Sequence, residues 1–499
     1  MAFSSASYHH RTSYFRHQMG GHALDWFNQP SVYKTYPGKE IIPLPEPNPW
    51  KDVYLSQLLK TTAGNSASSL SSLDGLSQMI RLAYSLTAKA AANETFYYRS
   101  AASAGALYPC EIYLATAELS DLRAGLYHYS IADFGLVPLR EGNFSPFIFQ
   151  KASWPEGFVP GLTFFISAVF FRSSWKYRER AFRYHLLDTG HLIENVLFAL
   201  RVYHFSPFLT YDFNDVEMNQ LLGLDQTLEG ALALISLPDP APQEERRLSP
   251  IDDLPVSIKA ASRTARQETI CPVVKAFYEA GNKASAVDFV LHGRPSLELE
   301  PDHGRTIHPP ENWPEKLTYS QTVFQRRSKR NFISDSLPSK TFSAILEGFS
   351  LPIPALSEIP QSKSSFFSTG LLIGSVKGVT PGFYLLDKEN LNLGLIKEGH
   401  YTQSMASVCL DQMWLANAAL HFLFLGSPED QDKNWGPRGY RYAMMTAGRM
   451  GERLYLLSTA LGLGCCGIGA FYDQEAADLL GLDEGNHLLY LVAVGVIKR

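Results

Sequence analysis

Two stretches of the chain repeat one another at a constant separation and without a gap. RERAFRYHLLDTGHLIENVLF (Arg178–Phe198) returns as GPRGYRYAMMTAGRMGERLYL (Gly436–Leu456), and DFNDVEMNQLLGLD (Asp212–Asp225) returns as AFYDQEAADLLGLD (Ala470–Asp483). The offset is 448 − 190 = 258 for Gly190 and Gly448, and 483 − 225 = 258 for Asp225 and Asp483. Arg180/Arg438, Arg183/Arg441, Tyr184/Tyr442, Glu194/Glu452, Phe213/Phe471 and Asp215/Asp473 fall in the same register. A chain that repeats itself in this way must fold as two copies of one unit.

The unit can be read in each copy. Leu186, Ile193, Leu197 and Leu200, and then Met450, Leu454, Leu457 and Leu461, have the three-to-four spacing of an amphipathic helix. A loop and a short acidic-capped helix ending in LLGLD come next, followed by a strand, ALALISL (Ala231–Leu237) or LLYLVAVGVI (Leu488–Ile497). Phe158 to Phe171 reads as a further buried strand, and GLY (Gly125–Tyr127) matches GFY (Gly382–Tyr384) at nearly the same offset. Helices mixed with strands in this order predict an α+β fold, two sandwich domains joined as an intramolecular pseudo-dimer. The expected division is an N-terminal extension over 1–50, copy one over 51–240, a Pro- and charge-rich linker with some helix over 241–315, and copy two over 316–499.

Composition narrows the class. At 499 residues, 45% hydrophobic and 19% charged, the chain is globular and long enough for two cores. A net charge of −5 gives no overall pull toward nucleic acid. Five cysteines without regular spacing argue against a disulfide framework and a structural zinc site. No apolar run approaches the roughly 20 residues of a membrane span, and no secretory h-region is visible, so a cytoplasmic location is expected.

The differences between the copies carry the functional information. Copy two has GLGCCGIGAF (Gly462–Phe471), four glycines in eight residues, expected as a loop that brings bare N–H groups against a ligand. Copy one has HFSPFLTYDF there, with a proline and no glycine. Copy two opens with QRRSKRNF, whose Arg326, Arg327, Ser328 and Arg330 suit a terminal phosphate. Copy one has EIIPLPEPNPW in the equivalent place, with no cation cluster. Copy one in turn has RSAASAGALYP (Arg99–Pro109), in which Ser103, Ala104 and Gly105 form a tight turn suited to a planar ligand. Copy two is expected to be shorter here by about thirty residues and to have lost the segment. One composite site across the interface of the copies follows.

RRSxR, SAGALYP and GLGCCGIG together resemble the FMN-dependent nitroreductase superfamily. YHHRT (Tyr8–Thr12), LDW (Leu24–Trp26) and WKYRERAFRYHLLDTGH (Trp175–His191) resemble its SagB-type branch, the azoline dehydrogenases of thiazole and oxazole peptide biosynthesis. The resemblance implies FMN, held at the interface by residues of both copies. Arg326, Arg327, Ser328 and Arg330 would meet the phosphate and ribityl tail, Gly467, Ile468 and Gly469 would lie near the ring edge, and Ser103, Ala104 and Gly105 would come from the other copy. Lys498 and Arg499 resemble a further phosphate position. Lys176 and Tyr177 match a catalytic Lys-Tyr pair that copy two lacks, having Gly436 and Pro437 instead.

Oxidising an azoline removes a proton and a hydride equivalent. Lys176 is the expected base if burial or the cations Arg178, Arg180 and Arg183 lower its pKa, and Tyr177 would position the substrate or relay the proton. Two other readings stay open: an NAD(P)H-dependent nitro or quinone reductase, and a non-catalytic flavin-binding or scaffold partner of a peptide-modification complex. The expected partners are a small-molecule or peptide substrate, with no nucleic acid and no membrane, and further pairing of the pseudo-dimer is open. Cys465 and Cys466 read as small buried thiols rather than a redox pair. His185 and His191 read as structural, and Asp188 and Glu194 as organisers of Arg180 and Arg183.

Overall fold

A computed structural model describes residues 3–21, 23–47, 50, 53–61, 70, 72–91, 95–239, 251–283, 297, 299–353, 357–359 and 366–498. Each half is an antiparallel sheet with helices against it, so the α+β expectation holds. Across the first sheet the strands run Ile42–Pro43, Gly135–Glu141, Gly125–Ser130, Cys110–Thr116, Pro160–Val169, Glu229–Pro238 and Phe208–Thr210. Across the second they run His303–Thr306, Asn392–Glu398, Gly382–Asp387, Ser368–Ile373, Leu420–Gly426, His487–Gly495 and Gly464–Ile468. The two orders match strand for strand, as duplication requires. The first sheet gains an eighth member from the other half: Ser357–Ile359 pairs in parallel with Phe208–Thr210.

Between the sheets lie the two repeated helices, Ala181–Val202 and Arg438–Ala460. Both are buried almost all round, which an amphipathic surface helix would not be. They cross at the paired glycines. A Cβ on Gly190 would lie 2.1 Å from the Met445 carbonyl oxygen, and one on Gly448 2.2 Å from that of Leu187. Only hydrogen at both positions lets the backbones touch.

Buried ion pairs of pseudo-twofold symmetry lock the crossing. Arg180 Nη1, just before the first helix, and Arg183 Nη1 within it each lie 2.7 Å from Asp473 of the second half. Arg438 and Arg441 reach Asp215 of the first half at 2.5 and 2.9 Å. Burial disfavours the charge on Asp473, yet Arg180 and Arg183 outweigh it and hold the carboxyl below its ordinary range. Each cluster is closed by an arm. The Tyr14 N–H donates to Asp473 at 2.9 Å, and the Lys283 N–H donates to Asp215 at 2.9 Å. The repeat therefore extends into the stretch expected as a linker, where the helix Pro272–Ala280 answers the N-terminal helix Ser5–Arg11.

Two expectations are corrected here. Glu194 does not organise Arg180 and Arg183: it binds Arg449 (3.1 Å) and Arg453 (2.7 Å) of the facing helix. The segment of copy two between helix and strand is not thirty residues shorter. Residues 351–367 answer residues 84–109, a difference of nine, and the segment contains Ser357–Ile359.

The glycine crossing predicts a sharp steric cost. Gly190→Ala should destabilise the protein by about 3 kcal/mol or more, read as a lower urea midpoint. Gly20→Ala, with nothing within 4 Å of its Cβ, should change stability by less than about 0.5 kcal/mol.

Candidate functional site

The small-residue segment of the first half is a strained turn tied to the first core helix. Gly105, Ala106 and Tyr108 have φ of 63°, 55° and 45°, the left-handed region that only glycine enters freely. Such strain persists only where the surroundings over-determine it. Asp188 does this: its carboxylate accepts from Ser103 Oγ at 2.6 Å and from the Ala104 N–H at 3.1 Å. Ser103 Oγ in turn accepts the Tyr108 N–H at 2.9 Å, and Arg172 Nη1 donates to the Tyr108 carbonyl at 2.9 Å. Asp188 thus organises the turn and not Arg180 and Arg183, which are committed to Asp473. Burial raises its pKa to about 6 against the help of the Ser103 and Ala104 hydrogen bonds.

Lys176 and Tyr177 close over this turn. They end the helix Phe170–Tyr177, which Arg178 breaks at φ 50° and ψ −130°. A Cβ on Gly105 would lie 2.6 Å from Tyr177 Oη and 3.3 Å from Lys176 Nζ. The Lys-Tyr pair and the small-residue turn, 71 positions apart from Gly105 to Lys176, are therefore in one place. The Tyr177 ring packs on Tyr184 at 4.3 Å, and burial pushes its phenol pKa up. Tyr184 Oη donates to the Gly469 carbonyl at 3.2 Å, and Arg180 Nη2 to the same oxygen at 3.0 Å. That oxygen belongs to the other half.

The second half presents an edge. Gly464–Ile468 is a strand paired with His487–Gly495, not the loop expected from its glycines. No strand flanks its outer side among the described residues, where a single parallel bridge from Ser328 meets Cys465. The close approach its glycines permit is to tyrosines: a Cβ would meet Tyr490 Oη at Gly467 and the Tyr184 ring, at 2.6 Å, at Gly469. The Gly467 N–H donates to Tyr455 Oη (2.8 Å), which also pairs with Ser328 Oγ (2.9 Å). The Lys329 N–H donates to the Cys465 carbonyl at 2.9 Å. Cys465 and Cys466 are buried free thiols, and burial raises both pKa values.

The basic cluster divides. Arg326 is buried and clamps the entry to the turn, donating from Nε to the Ser100 carbonyl (2.7 Å) and from Nη2 to that of Arg99 (2.9 Å). Its Nη1 is buried with no hydrogen-bond partner among the described residues. Arg327 is half-buried, donates to the Phe324 and Arg326 carbonyls and covers the Tyr98 ring at 5.2 Å. Ser328 and Arg330 are exposed. So is Lys498, whose N–H donates to the Asn331 carbonyl at 3.0 Å, which sets it beside Arg330. Arg499 lies outside the described residues. Ser328, whose hydroxyl pairs with Tyr455, Arg330, whose guanidinium also lies over the Trp414 ring at 5.9 Å, and Lys498 are the exposed members, and their residue types have the chemistry of an anion site.

The pseudo-equivalent place is built differently. Ser357–Ile359 precedes its sheet by the same ten residues as Arg99–Ala101, 368 − 358 against 110 − 100. There it zips onto the Phe208–Thr210 edge and closes it. Arg99 and Ser100 are instead held off the Gly464–Ile468 edge by Arg326. The core charges differ in the same sense. Glu194 is gripped by two arginines, Arg449 and Arg453, whereas at its counterpart Glu452 those positions are His191 and Asn195. His191 takes up Glu452 through Nδ1 (2.6 Å) and Tyr490 Oη through Nε2 (3.0 Å). His185 Nε2 donates to the Phe170 carbonyl at 3.1 Å, so both histidines are built into the core. Tyr184 and Glu452 stood out in the sequence only as repeat positions, and Tyr455 and Tyr490 not at all. The exchange of two arginines for His191 and Asn195 in register was the visible signal.

Residues 70–236 and 323–496 each match the model of the nitroreductase family. The chain belongs to that family. A protein of Methanocaldococcus jannaschii assigned to the nitroreductases is 28% identical over 191 residues, 36% of this chain and 92% of that protein. A trifolitoxin-processing protein of Rhizobium leguminosarum biovar trifolii is 28% identical over 140 residues, 26% of this chain and 37% of its own length. The crystal structure of a nitroreductase-type protein from Anabaena variabilis superimposes on 99% of this chain and 100% of its own, with a TM-score of 0.75 at 24% identity, so the tandem fold is shared. Among the described residues no helix is long and apolar enough to cross a membrane, and no group of three or more His, Cys, Asp or Glu could hold a metal ion.

The raised pKa of Asp188 fixes the sign of a pH effect. The folded state favours the protonated carboxyl, so ionisation works against folding as pH rises from about 4 to about 6. Over that window wild type should lose on the order of 3 kcal/mol relative to Asp188→Asn, which cannot ionise. Urea unfolding of both proteins at pH 4 and pH 7 checks it; parallel changes in the two would refute it.

Proposed function

We propose that the chain is an FMN-dependent oxidoreductase with one composite flavin site, and that it oxidises azoline rings of a peptide to azoles. The observation that carries this reading is the meeting of Lys176 Nζ and Tyr177 Oη over Gly105, beside an edge strand supplied by the other half. The trifolitoxin-processing relative supports a peptide substrate.

The residues present fit the cofactor. Ser328, Arg330 and Lys498 would hold its phosphate, with the orphaned Arg326 Nη1 available to an anionic or carbonyl oxygen. The turn Ser103–Gly105 and the strand edge at Gly467–Gly469 would flank the ring system. When bound, FMN supplies the two-electron acceptor for the hydride equivalent. The chain supplies the rest. Lys176 Nζ takes the proton from the azoline C–H, and Tyr177 Oη fixes the ring of the substrate against the Gly105 turn. Tyr184 and Asp188 act behind them, one buttressing Tyr177 and the other holding the turn. Closure of the Phe208–Thr210 edge by Ser357–Ile359 supports one flavin per chain rather than two.

The first measurement is the visible spectrum and flavin content of the purified, reconstituted protein. One FMN per chain is expected. Two would mean that the closed edge does not block a second site, and none would favour a scaffold role. Lys176→Ala should lower kcat on a thiazoline-containing peptide by about a hundredfold or more with flavin content unchanged. Unchanged turnover would remove Lys176 from the mechanism.

A further inference from the structure

Large aromatic side chains are usually buried, but Trp26 is 66% and Phe27 84% exposed. They share one tight turn, Trp26–Asn28, which is fastened on both flanks. Asn28 exchanges hydrogen bonds with the Gln267 backbone, its Oδ1 accepting the Gln267 N–H at 3.0 Å. The Ser31 N–H donates to the Thr264 carbonyl at 2.8 Å. On the other flank Trp26 meets Trp175 edge-on at 5.3 Å, and Trp175 Nε1 donates to the Asp25 carbonyl at 2.9 Å. Trp175 is the residue before Lys176. Arg172, which holds the Tyr108 carbonyl of the strained turn, also donates from Nε to the Ser31 carbonyl at 2.9 Å. The exposed ridge and the candidate site thus share one rigid frame.

Beside the ridge is an open surface depression of about 560 Å³, lined among others by Phe27, Gln29 and Pro30 and by Arg263 and Arg266. Both arginines are exposed. The neighbouring carboxylate, Glu268, is engaged by Thr264 Oγ1 and the Ala265 N–H, each at 2.9 Å, and is turned to the loop rather than to the guanidinium groups. The depression is therefore cationic on a chain whose net charge is negative.

We propose that this ridge and depression dock an extended peptide segment next to the reacting residue, taking an apolar side chain on Trp26 and Phe27 and an acidic one between Arg263 and Arg266. The proposal rests on the reading of the substrate as a peptide. Rigid aromatic rings give contact area at small entropic cost, which suits short linear ligands. Two such rings bury at most about 500 Å², short of the roughly 800 Å² per partner that a stable protein–protein interface needs. A folded partner or a second copy of the chain is therefore disfavoured. An extended strand advances about 3.3 Å per residue, so a few residues span from the ridge to its flanking depression.

The test uses the full-length, flavin-loaded protein and fluorescence anisotropy. The probe is a labelled Gly-Ser decapeptide carrying one Phe and, three residues on, one Glu; a second probe carries Lys in place of Glu. Wild type should prefer the Glu probe. The double variant Trp26→Ala/Phe27→Ala should weaken its binding by about tenfold or more, and Arg263→Glu/Arg266→Glu should reverse the preference between probes. Unchanged flavin content shows that the variants are folded. Equal binding by wild type and the aromatic double variant overturns the proposal, as does no binding of either probe by wild type. Turnover separates the two claims. If the ridge binds peptide but no azoline is oxidised, the docking surface stands and the proposed reaction fails. If an azoline peptide is oxidised with the same KM in the aromatic double variant, the reaction stands and the docking surface fails.

Discussion

Two arginines from each half grip one buried aspartate of the other, and the rest of the molecule depends on that exchange. A buried carboxylate stripped of its partner costs about 3–5 kcal/mol, and here the partners of Asp473 and Asp215 lie across the interface. Neither half satisfies these two aspartates by itself. The glycine crossing of the two core helices then brings their backbones into contact, which leaves no room for the halves to slide. A strand edge of one half and a turn of the other can hold a fixed relation because the interface between them is of this kind.

On this symmetric frame the site is one-sided. The same ten-residue approach to the sheet closes an edge in one place and stands clear of it in the other, and the difference lies in what grips the segment. Arg326 takes the carbonyls of Arg99 and Ser100 that would otherwise seek a strand. Ser357–Ile359 finds Phe208–Thr210 instead. The buried glutamates follow the same division, with Glu194 neutralised by two arginines and Glu452 shared between His191 and Arg326. The two halves offer two equivalent places, and in one of them the edge is closed by a strand from the other half.

Much of this was legible. The offset of 258 placed both core helices, and the contrast between GLGCCGIG and HFSPFLTY marked the two edges as unlike. The Lys176–Tyr177 pair and the turn at Gly105 were singled out separately and proved adjacent. Other roles were misread because they are set across the interface. Asp188 and Glu194 sit among arginines in the sequence, but a helix turns each to a different neighbour: one to the Ser103–Ala104 turn, the other to Arg449 and Arg453. The glycines of residues 462–469 suggested a loop, since flexibility is their local meaning. In the fold Gly464–Ile468 is a strand, and the missing side chains of Gly467 and Gly469 make room for Tyr490 and Tyr184. The helix of the linker was expected, but not its match to the N-terminus, because residues 274–283 answer residues 5–14 at an offset of 269, not 258, and by backbone contacts rather than residue types.

The sequence by itself determined that there are two copies, which helices pair, and that the copies differ in their glycine-rich and basic segments. Residue spacing and composition carry that much because helix period, glycine and charge act locally. Only the tertiary structure decided which edge is open, which arginines face outward, and what Asp188, Glu194 and His191 hold. Those outcomes depend on groups 85 to 299 positions apart, and burial makes each of them pair with whatever the crossing of the two helices brings within reach.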